Sequence, residues 1–126
     1  METKRILLID DEVDFLILIK KRIESWGYLV ITATCGDDAL DALDTTAPRV
    51  IILDYNMPDI NGIELLRKIR KTNKKIPVIM FTAQPTIKAM EEAKELNIIA
   101  FIPKESSMVD TEKDLKIALE LIFQNP

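Results

Sequence analysis

Short apolar runs alternate with helical patterns along the whole chain, and this alternation restricts the fold more than any other feature. The runs are Arg5–Asp10, Tyr28–Ala33, Val50–Asp54, Pro77–Thr82 and Ile98–Ile102. The first and third are continuously apolar up to their final aspartate, as in parallel strands that are covered on both faces. Strict β–α alternation predicts the α/β class, with a single doubly wound five-stranded parallel sheet and five helices.

Each predicted strand is followed by a segment whose apolar residues recur at intervals of three and four. The residues expected to face the sheet are Leu16, Ile19, Ile23 and Trp26, then Ala39, Leu40 and Leu43, then Ile63, Leu66 and Ile69, then Ala89, Ala93 and Leu96, and finally Leu115, Ala118, Leu119 and Ile122. Gly27 ends the first helix, and Pro48 stops the second. No repeat or linker interrupts the pattern, so we expect residues 1–126 to form one domain.

Composition excludes several classes of chemistry. The 126 residues include no histidine and a single cysteine, Cys35. The missing histidine excludes Ser-His-Asp and Cys-His catalysis, imidazole metal sites and phosphohistidine carriage by this chain. An internal disulfide and a thiolate zinc site are excluded by the cysteine count. Any phosphate or metal chemistry must therefore use carboxylates, hydroxyls and amines.

Charge and hydropathy limit the partners. The net charge of −4 argues against direct contact with nucleic acid, which requires clustered basic residues. The basic residues concentrated between Arg67 and Lys75 are interpreted as a solvated helix end. No apolar run approaches the ~20 residues that cross a bilayer, and no leader peptide is evident. We therefore expect a soluble cytoplasmic protein without membrane contact.

Polar residues collect where the predicted strands end. Asp10 and Asp11 follow the first strand, Asp54 ends the third, Thr82 ends the fourth, and Lys104 follows the fifth. In a doubly wound sheet the functional crevice lies at this carboxyl edge. Each residue also has a purely structural interpretation: a helix cap for the first two, a turn for Asp54, an ordinary strand residue for Thr82 and surface charge for Lys104. These separate structural interpretations would all have to coincide at one edge of the sheet, so the group as a whole favours a functional site.

Carboxylates that converge in one crevice repel one another unless a cation lies among them. A hard divalent ion such as Mg²⁺ prefers oxygen ligands of this kind. One carboxylate beside such an ion and a lysine can act as a nucleophile toward phosphorus. The residue types therefore indicate phosphoryl chemistry.

Four segments resemble the receiver domains of bacterial two-component response regulators. They are Ile6–Glu12 (ILLIDDE), Ile51–Gly62 (IILDYNMPDING), Pro77–Ala83 (PVIMFTA) and Ala100–Lys104 (AFIPK), and they occur in the order and spacing of that family. The resemblance extends over nearly the whole chain. It implies a flavodoxin-like (βα)5 fold and a signalling domain that is not an enzyme in its own right.

The resemblance also implies a role for each site residue. Asp54 would be the phosphoacceptor, and Lys104 would pair with the phosphoryl oxygens. Mg²⁺ would be bound by Asp11, Asp54 and the backbone carbonyl of Asn56, with Asp10 acting through a water. Thr82 and Phe101 would form the conformational switch that is read on the fourth helix, fifth strand and fifth helix.

The implied phosphodonor is a histidine kinase or histidine phosphotransfer protein, because this chain has no histidine of its own. The implied output is a further domain or a downstream protein, with a phosphorylation-dependent homodimer as one form. Two positions depart from the family pattern: Glu105 follows Lys104 where many members have proline, and Phe101 lacks the hydroxyl of tyrosine.

Two alternatives stay open at this point. One is a receiver-like interaction module that works without phosphorylation, suggested by Glu105 and by apolar residues outside the core stripes of two helices: Phe15, Leu18, Ile117 and Leu121. The other is a Mg²⁺-dependent aspartyl-phosphatase, although Asp10 and Asp11 lack the spacing of those enzymes. Asn56 and Gln84, two residues beyond Asp54 and Thr82, are expected to influence phosphoryl lifetime.

Overall fold

The computed structural model describes residues 4–83, 86–104 and 108–124. Strands and helices alternate throughout this part of the chain. The strands are β1 Arg5–Ile9, β2 Leu29–Ala33, β3 Val50–Asp54, β4 Val78–Thr82 and β5 Ala100–Pro103. The helices are α1 Val13–Ser25, α2 Gly36–Thr46, α3 Gly62–Thr72, α4 Ile87–Glu95 and α5 Met108–Gln124. The predicted class and element order are confirmed.

All five strands belong to one parallel sheet with the order β2-β1-β3-β4-β5. The chain runs outward from β1 to β2 and then returns to the other side of β1 to begin β3. The strand order therefore reverses between β1 and β3, where the crevice of a doubly wound sheet opens. Ile9 pairs with Leu53 at the carboxyl edge, so the residues that follow β1 and end β3 come out side by side.

The sheet carries a separate apolar core on each face, because successive strand residues point to opposite sides. Helices α1 and α5 cover one face, where they pack on residues such as Leu8, Ile52 and Phe81. Helices α2, α3 and α4 cover the other, where they pack on residues such as Leu53 and Met80. This double cover explains why β1, β3 and β4 have almost continuously apolar sequences.

Some predicted boundaries were wrong by one or two residues. Strand β1 ends at Ile9, although the Asp10 N–H still donates to Ala33 O at 3.1 Å. Strand β5 begins at Ala100 instead of Ile98, although the Ile99 N–H already donates to Val78 O at 2.8 Å. Asn97, which precedes this segment, takes a positive φ of 60° as the chain leaves α4. Helix α1 ends at Ser25, so Trp26 lies at its C-cap and is only half-buried. Gly27 ends this turn at φ 99°, as predicted.

Arg70 corrects the interpretation of the basic segment as merely solvated. Its guanidinium donates to the backbone carbonyls of Leu96 at 2.8 Å, Ile76 at 2.8 Å and Asn97 at 3.1 Å. These acceptors lie after α4 and before β4, where carbonyl groups have no partner within a helix or strand. Arg70 therefore joins the loops at the amino edge of the sheet.

No helix in residues 4–83, 86–104 or 108–124 combines the length and the apolar character that crossing a membrane requires.

Gly62 packs directly against the backbone that carries Asp54. A Cβ atom at this position would lie 2.7 Å from Tyr55 Cα and 2.8 Å from Asp54 O. The Gly62 N–H also donates to Tyr55 O at 2.7 Å, so the loop cannot move away without losing this bond. Glycine at this position is thus what allows α3 to begin against the end of β3.

We expect Gly62→Ala to lower the free energy of unfolding by about 1–3 kcal/mol, as overpacking against fixed atoms does. Gly36→Ala is the matched control, because its Cβ would meet side-chain atoms and not backbone: Ile60 Cγ2 at 2.7 Å and Asp59 Oδ2 at 3.3 Å. Urea denaturation measures both variants. Equal losses of the free energy of unfolding in the two variants would contradict the prediction, because they would show that the backbone between β3 and α3 shifts as easily as a side chain.

Candidate functional site

Asp10, Asp54 and Lys104 meet at the carboxyl edge of the sheet, next to the reversal between β1 and β3. Asp10 directly follows β1, Asp54 is the last residue of β3, and Lys104 directly follows β5. Each lies two residues after a core residue under α1 and α5, namely Leu8, Ile52 and Ile102. Because side chains two residues apart in a strand point to the same face, all three continue the face that α1 and α5 cover. Asp10 and Asp54 are each 1% exposed.

The Lys104 ammonium is surrounded by three carboxylates. Its Nζ lies 2.8 Å from Asp10 Oδ2, 3.0 Å from Glu12 Oε1 and 3.4 Å from Asp54 Oδ1. The Lys104 side chain is only 9% exposed, and the Asp10 and Asp54 side chains are 1% exposed. Its main chain is fixed as well, because Lys104 N donates to Thr82 O at 2.6 Å.

Backbone N–H groups hold the two buried aspartates in place. Glu12 N donates to Asp10 Oδ1 at 2.9 Å, and Asn56 N donates to Asp54 Oδ1 at 3.2 Å. The turn interpretation of Asp54 is therefore correct, but it accounts for only one of its two oxygens. Neither Asp10 nor Asp11 is the N-cap of α1, since that position is Glu12, which makes no side-chain capping bond.

The acidic group has the composition of a magnesium site. Carboxylate oxygens of Asp10, Glu12 and Asp54 all lie within 4.8 Å of one another. Asp11 Oδ1 and Asp54 Oδ2 are buried and accept no hydrogen bond from the described part of the chain. Buried carboxylate oxygens without a donor are costly, and a hard cation would satisfy them. The residues present therefore fit Mg²⁺.

Glu12 was not singled out as a site residue from the sequence, although it belongs to the Asp10-Asp11-Glu12 segment. Because Glu12 makes no capping bond, its carboxylate can reach Lys104 while staying 61% exposed. Asp11, which the resemblance implies as a direct ligand, lies outside the group of three but contributes a buried oxygen. The backbone N–H of Asn56 contacts Asp54, whereas a ligand role for its carbonyl stays a prediction.

The family comparison agrees with this geometry. The response regulator receiver domain family matches residues 6–116. The chain belongs to this family. Receiver domains bind Mg²⁺ at an acidic pocket, and the carboxylates around Lys104 form such a pocket here.

Among curated proteins, this receiver domain is similar to the alkaline phosphatase synthesis transcriptional regulatory protein PhoP of Bacillus subtilis, with 38% identity over 64% of this chain and 34% of that protein. It is also similar to sporulation initiation phosphotransferase F of the same species, with 29% identity over 96% of this chain and 98% of that protein. The chain thus spans about a third of one relative and nearly all of the other.

Among solved structures, the non-phosphorylated HemR receiver domain of Leptospira biflexa superimposes with a TM-score of 0.87. The two sequences are 30% identical, and the match covers 98% of this chain and 97% of that one. A CheY-like receiver domain from Methanospirillum hungatei gives a TM-score of 0.86 at 26% identity, with 99% of this chain and 100% of that chain covered. The flavodoxin-like (βα)5 architecture of this receiver domain is therefore shown.

Thr82 and Phe101 lie on the other face of the sheet of this receiver domain. Thr82 continues the alternation of Met80, which packs under α2–α4, and its side chain is fully buried. Phe101 pairs with Met80 in the sheet and is half-buried against the same core. The two residues implied as the switch are therefore on the face opposite the Asp10–Asp54–Lys104 group. Glu105 and Gln84 lie outside the described residues.

Burial raises the pKa of Asp54 to about 7, and the nearby Asp10 charge adds to this effect, while Lys104 and the Asn56 N–H partly oppose it. Burial alone would lower the pKa of Lys104, but its hydrogen bond and ion pairs with the carboxylates raise it above the ordinary value. Lys104 thus stays charged, whereas Asp54 without a metal holds its proton up to near neutral pH.

A raised pKa in the folded state predicts that metal-free protein loses stability as the pH rises. Between the ordinary pKa of 3.8 and about 7, folded Asp54 binds more protons than the unfolded chain does, so unfolding becomes easier across this window. In EDTA, we expect Asp54→Asn to remove this dependence of the free energy of unfolding on pH. Near pH 8, the free energy of unfolding of the variant should exceed that of the wild type by about 1–3 kcal/mol.

Urea denaturation at a series of pH values makes the measurement. Asp114→Asn is the matched control, since Asp114 is exposed on α5 and its replacement should leave the slope intact. Parallel pH profiles for the wild type and Asp54→Asn would contradict a raised pKa of Asp54.

Proposed function

We propose that this receiver domain accepts a phosphoryl group on Asp54 in a Mg²⁺-dependent reaction. The observation that carries the proposal is the environment of the Asp54 carboxylate. It is buried at the sheet edge, one oxygen is 3.4 Å from the Lys104 ammonium, and the other has no donor in the described residues. A carboxylate of this kind has a free oxygen for attack and a cation at hand for the charge that the phosphoryl group brings.

The donor would be a phosphohistidine on a kinase or phosphotransfer protein, since this chain contains no histidine. Asp54 Oδ2 forms the new bond to phosphorus as the bond between phosphorus and the imidazole nitrogen breaks. The leaving imidazole keeps that electron pair and takes up a proton. Lys104 offers its ammonium to the transferring oxygens, and Glu12 and Asp10 hold that ammonium in place.

Magnesium, when bound, neutralises part of the charge on the transferring oxygens. The residues that would hold it are Asp11 and Asp54 directly, Asp10 through a water, and the Asn56 carbonyl. The buried oxygen of Asp11 that accepts no hydrogen bond in the described residues supports this set. Because Lys104 already pairs with Asp10 and Glu12, these two carboxylates are less available to the metal than Asp11 is.

The output would be a change in the face formed by α4 and β5. Phe101 lines a groove of about 410 Å³ there, together with the exposed Ile87, Met90 and Ile99. Movement of the buried Thr82 toward a phosphoryl group would leave space for Phe101 to turn inward and reshape this groove. We propose that an output domain or a separate partner binds this groove differently before and after phosphorylation. The chain itself would turn over no other substrate.

A second candidate function is an interaction module that does not need phosphorylation. The exposed apolar residues Ile17 and Leu18 on α1 and Ile117 and Leu121 on α5 favour it. The complete set of carboxylates and lysine at the sheet edge favours phosphorylation, because a module without phosphotransfer has no use for buried, repelling charges.

Incubation with Mg²⁺ and acetyl phosphate should add the mass of one phosphoryl group, and Asp54→Asn should abolish the addition. Asp59→Asn is the matched control in the same loop, since an amide oxygen can still accept the 2.9 Å hydrogen bond from Gly36 N. Intact-protein mass spectrometry provides the measurement. A protein that binds Mg²⁺ yet takes no phosphoryl group from acetyl phosphate or a phosphohistidine donor would support the interaction module instead.

Calorimetric titration with Mg²⁺ distinguishes the set that includes Asp11 from the group of Asp10, Glu12 and Asp54. We expect Asp11→Asn to weaken Mg²⁺ binding by about tenfold or more, because it removes a charged oxygen ligand. Glu12→Gln should have a smaller effect, since Glu12 is 61% exposed and paired with Lys104. The reverse order would assign the site to Asp10, Glu12 and Asp54.

A further inference from the structure

The ring of Phe15 lies beneath the lysine of the site. Lys104 Nζ is 4.4 Å from the centroid of this ring, within the distance at which a cation interacts with the face of an aromatic ring. Phe15 stands in the first turn of α1 but off the stripe of Leu16, Ile19 and Ile23 that packs on the sheet. Phe15 therefore packs at the margin of the core under α1 and α5, where its ring can also contact Lys104.

A second aromatic contact fixes the orientation of that ring. Phe15 and Phe81 meet edge to face, with centroids 5.9 Å apart and an interplanar angle of 89°. Phe81 is 1% exposed in the core under α1 and α5, so it cannot move to follow Phe15. The pair continues the apolar core up to the ammonium.

The ring provides a constraint that the carboxylates do not. Glu12 is 61% exposed, and Asp54 is the group that must change its charge when it reacts. If phosphorylation drew Lys104 toward the new oxygens, the ion pairs with Glu12 and Asp10 would have to rearrange. An aromatic face attracts the ammonium without a net charge of its own, so it supports Lys104 before and after the reaction.

We propose that Phe15 is a positioning residue for Lys104, holding its ammonium beside Asp54 for transfer of the phosphoryl group. This inference rests on the proposed phosphorylation of Asp54. Phe15 itself touches no reacting atom. Its removal should slow phosphorylation of Asp54 without removing the acceptor or the residues that would hold Mg²⁺.

The test replaces Phe15 with mono-, di- and trifluorinated phenylalanine and, separately, makes Phe15→Leu. Each fluorine weakens the negative potential of the ring face while the ring keeps nearly the same volume, so a packing role predicts no graded effect. We expect the rate of phosphorylation by acetyl phosphate to fall step by step along the series. Phe15→Leu should slow it by about three- to tenfold, as loss of a partly buried cation–π contact implies.

Two controls separate this role from a general effect. Fluorinated phenylalanine at Phe123, whose ring lies 5.5 Å from the Arg49 guanidinium, should leave the rate unchanged. In a Lys104→Ala background, Phe15→Leu should have no further effect on the rate, because the group that it positions is gone. NMR of the wild type should show the ε-methylene protons of Lys104 shifted upfield by the ring, which requires no variant to fold.

The outcomes distinguish this inference from the proposed function. If the wild type is phosphorylated and the fluorinated proteins are phosphorylated at the same rate as the wild type, the role of Phe15 is overturned and Asp54 stays the acceptor. Unshifted Lys104 protons in the wild type would also overturn it. No phosphorylation of the wild type by any donor would overturn the proposed function, and the role of Phe15 with it.

Discussion

The contact between the Lys104 ammonium and the carboxylates at the end of β1 and β3 is the interaction on which the rest of the site depends. Asp10 and Asp54 are almost completely buried, and their charges repel each other across the reversal point of the sheet. The Lys104 ammonium reduces this repulsion, because its Nζ lies 2.8 Å from Asp10 Oδ2 and 3.4 Å from Asp54 Oδ1. These contacts still leave Asp54 poorly stabilised as an anion, a cost that a divalent ion bound beside it would relieve.

The sheet places the proposed phosphoacceptor and the proposed switch residues on opposite faces. Asp54 and Lys104 continue the face under α1 and α5, whereas Thr82 and Phe101 continue the face under α2–α4. Because Lys104 N bonds to Thr82 O, the two sets share a backbone contact at the carboxyl edge. In the proposed function, a change at Asp54 would reach the groove beside α4 through these adjacent strand ends.

Much of the site could be placed from the sequence because parallel strands bring their ends to one edge. Asp10, Asp54 and Lys104 each end or follow an apolar run, so their meeting follows from topology alone. Glu12 and Phe15 could not be placed in this way, since their contacts depend on how α1 leaves the sheet and on which rotamers its first turn allows. The start of β5 at Ala100 could not be read from the apolar residues either, since Ile98 and Ile99 continue the same apolar run.

The sequence by itself determined the fold class, the alternation of strands and helices, and the identity of the polar residues at the edge of the sheet. These follow from residue type and period, which act locally. Only the tertiary structure decided the surroundings of Lys104, because they combine residues after β1, at the start of α1 and at the end of β3 that are up to 94 positions away. Distances, burial and shared charge exist only once the chain is folded, and they bring Asp10, Glu12, Asp54 and Lys104 into one site.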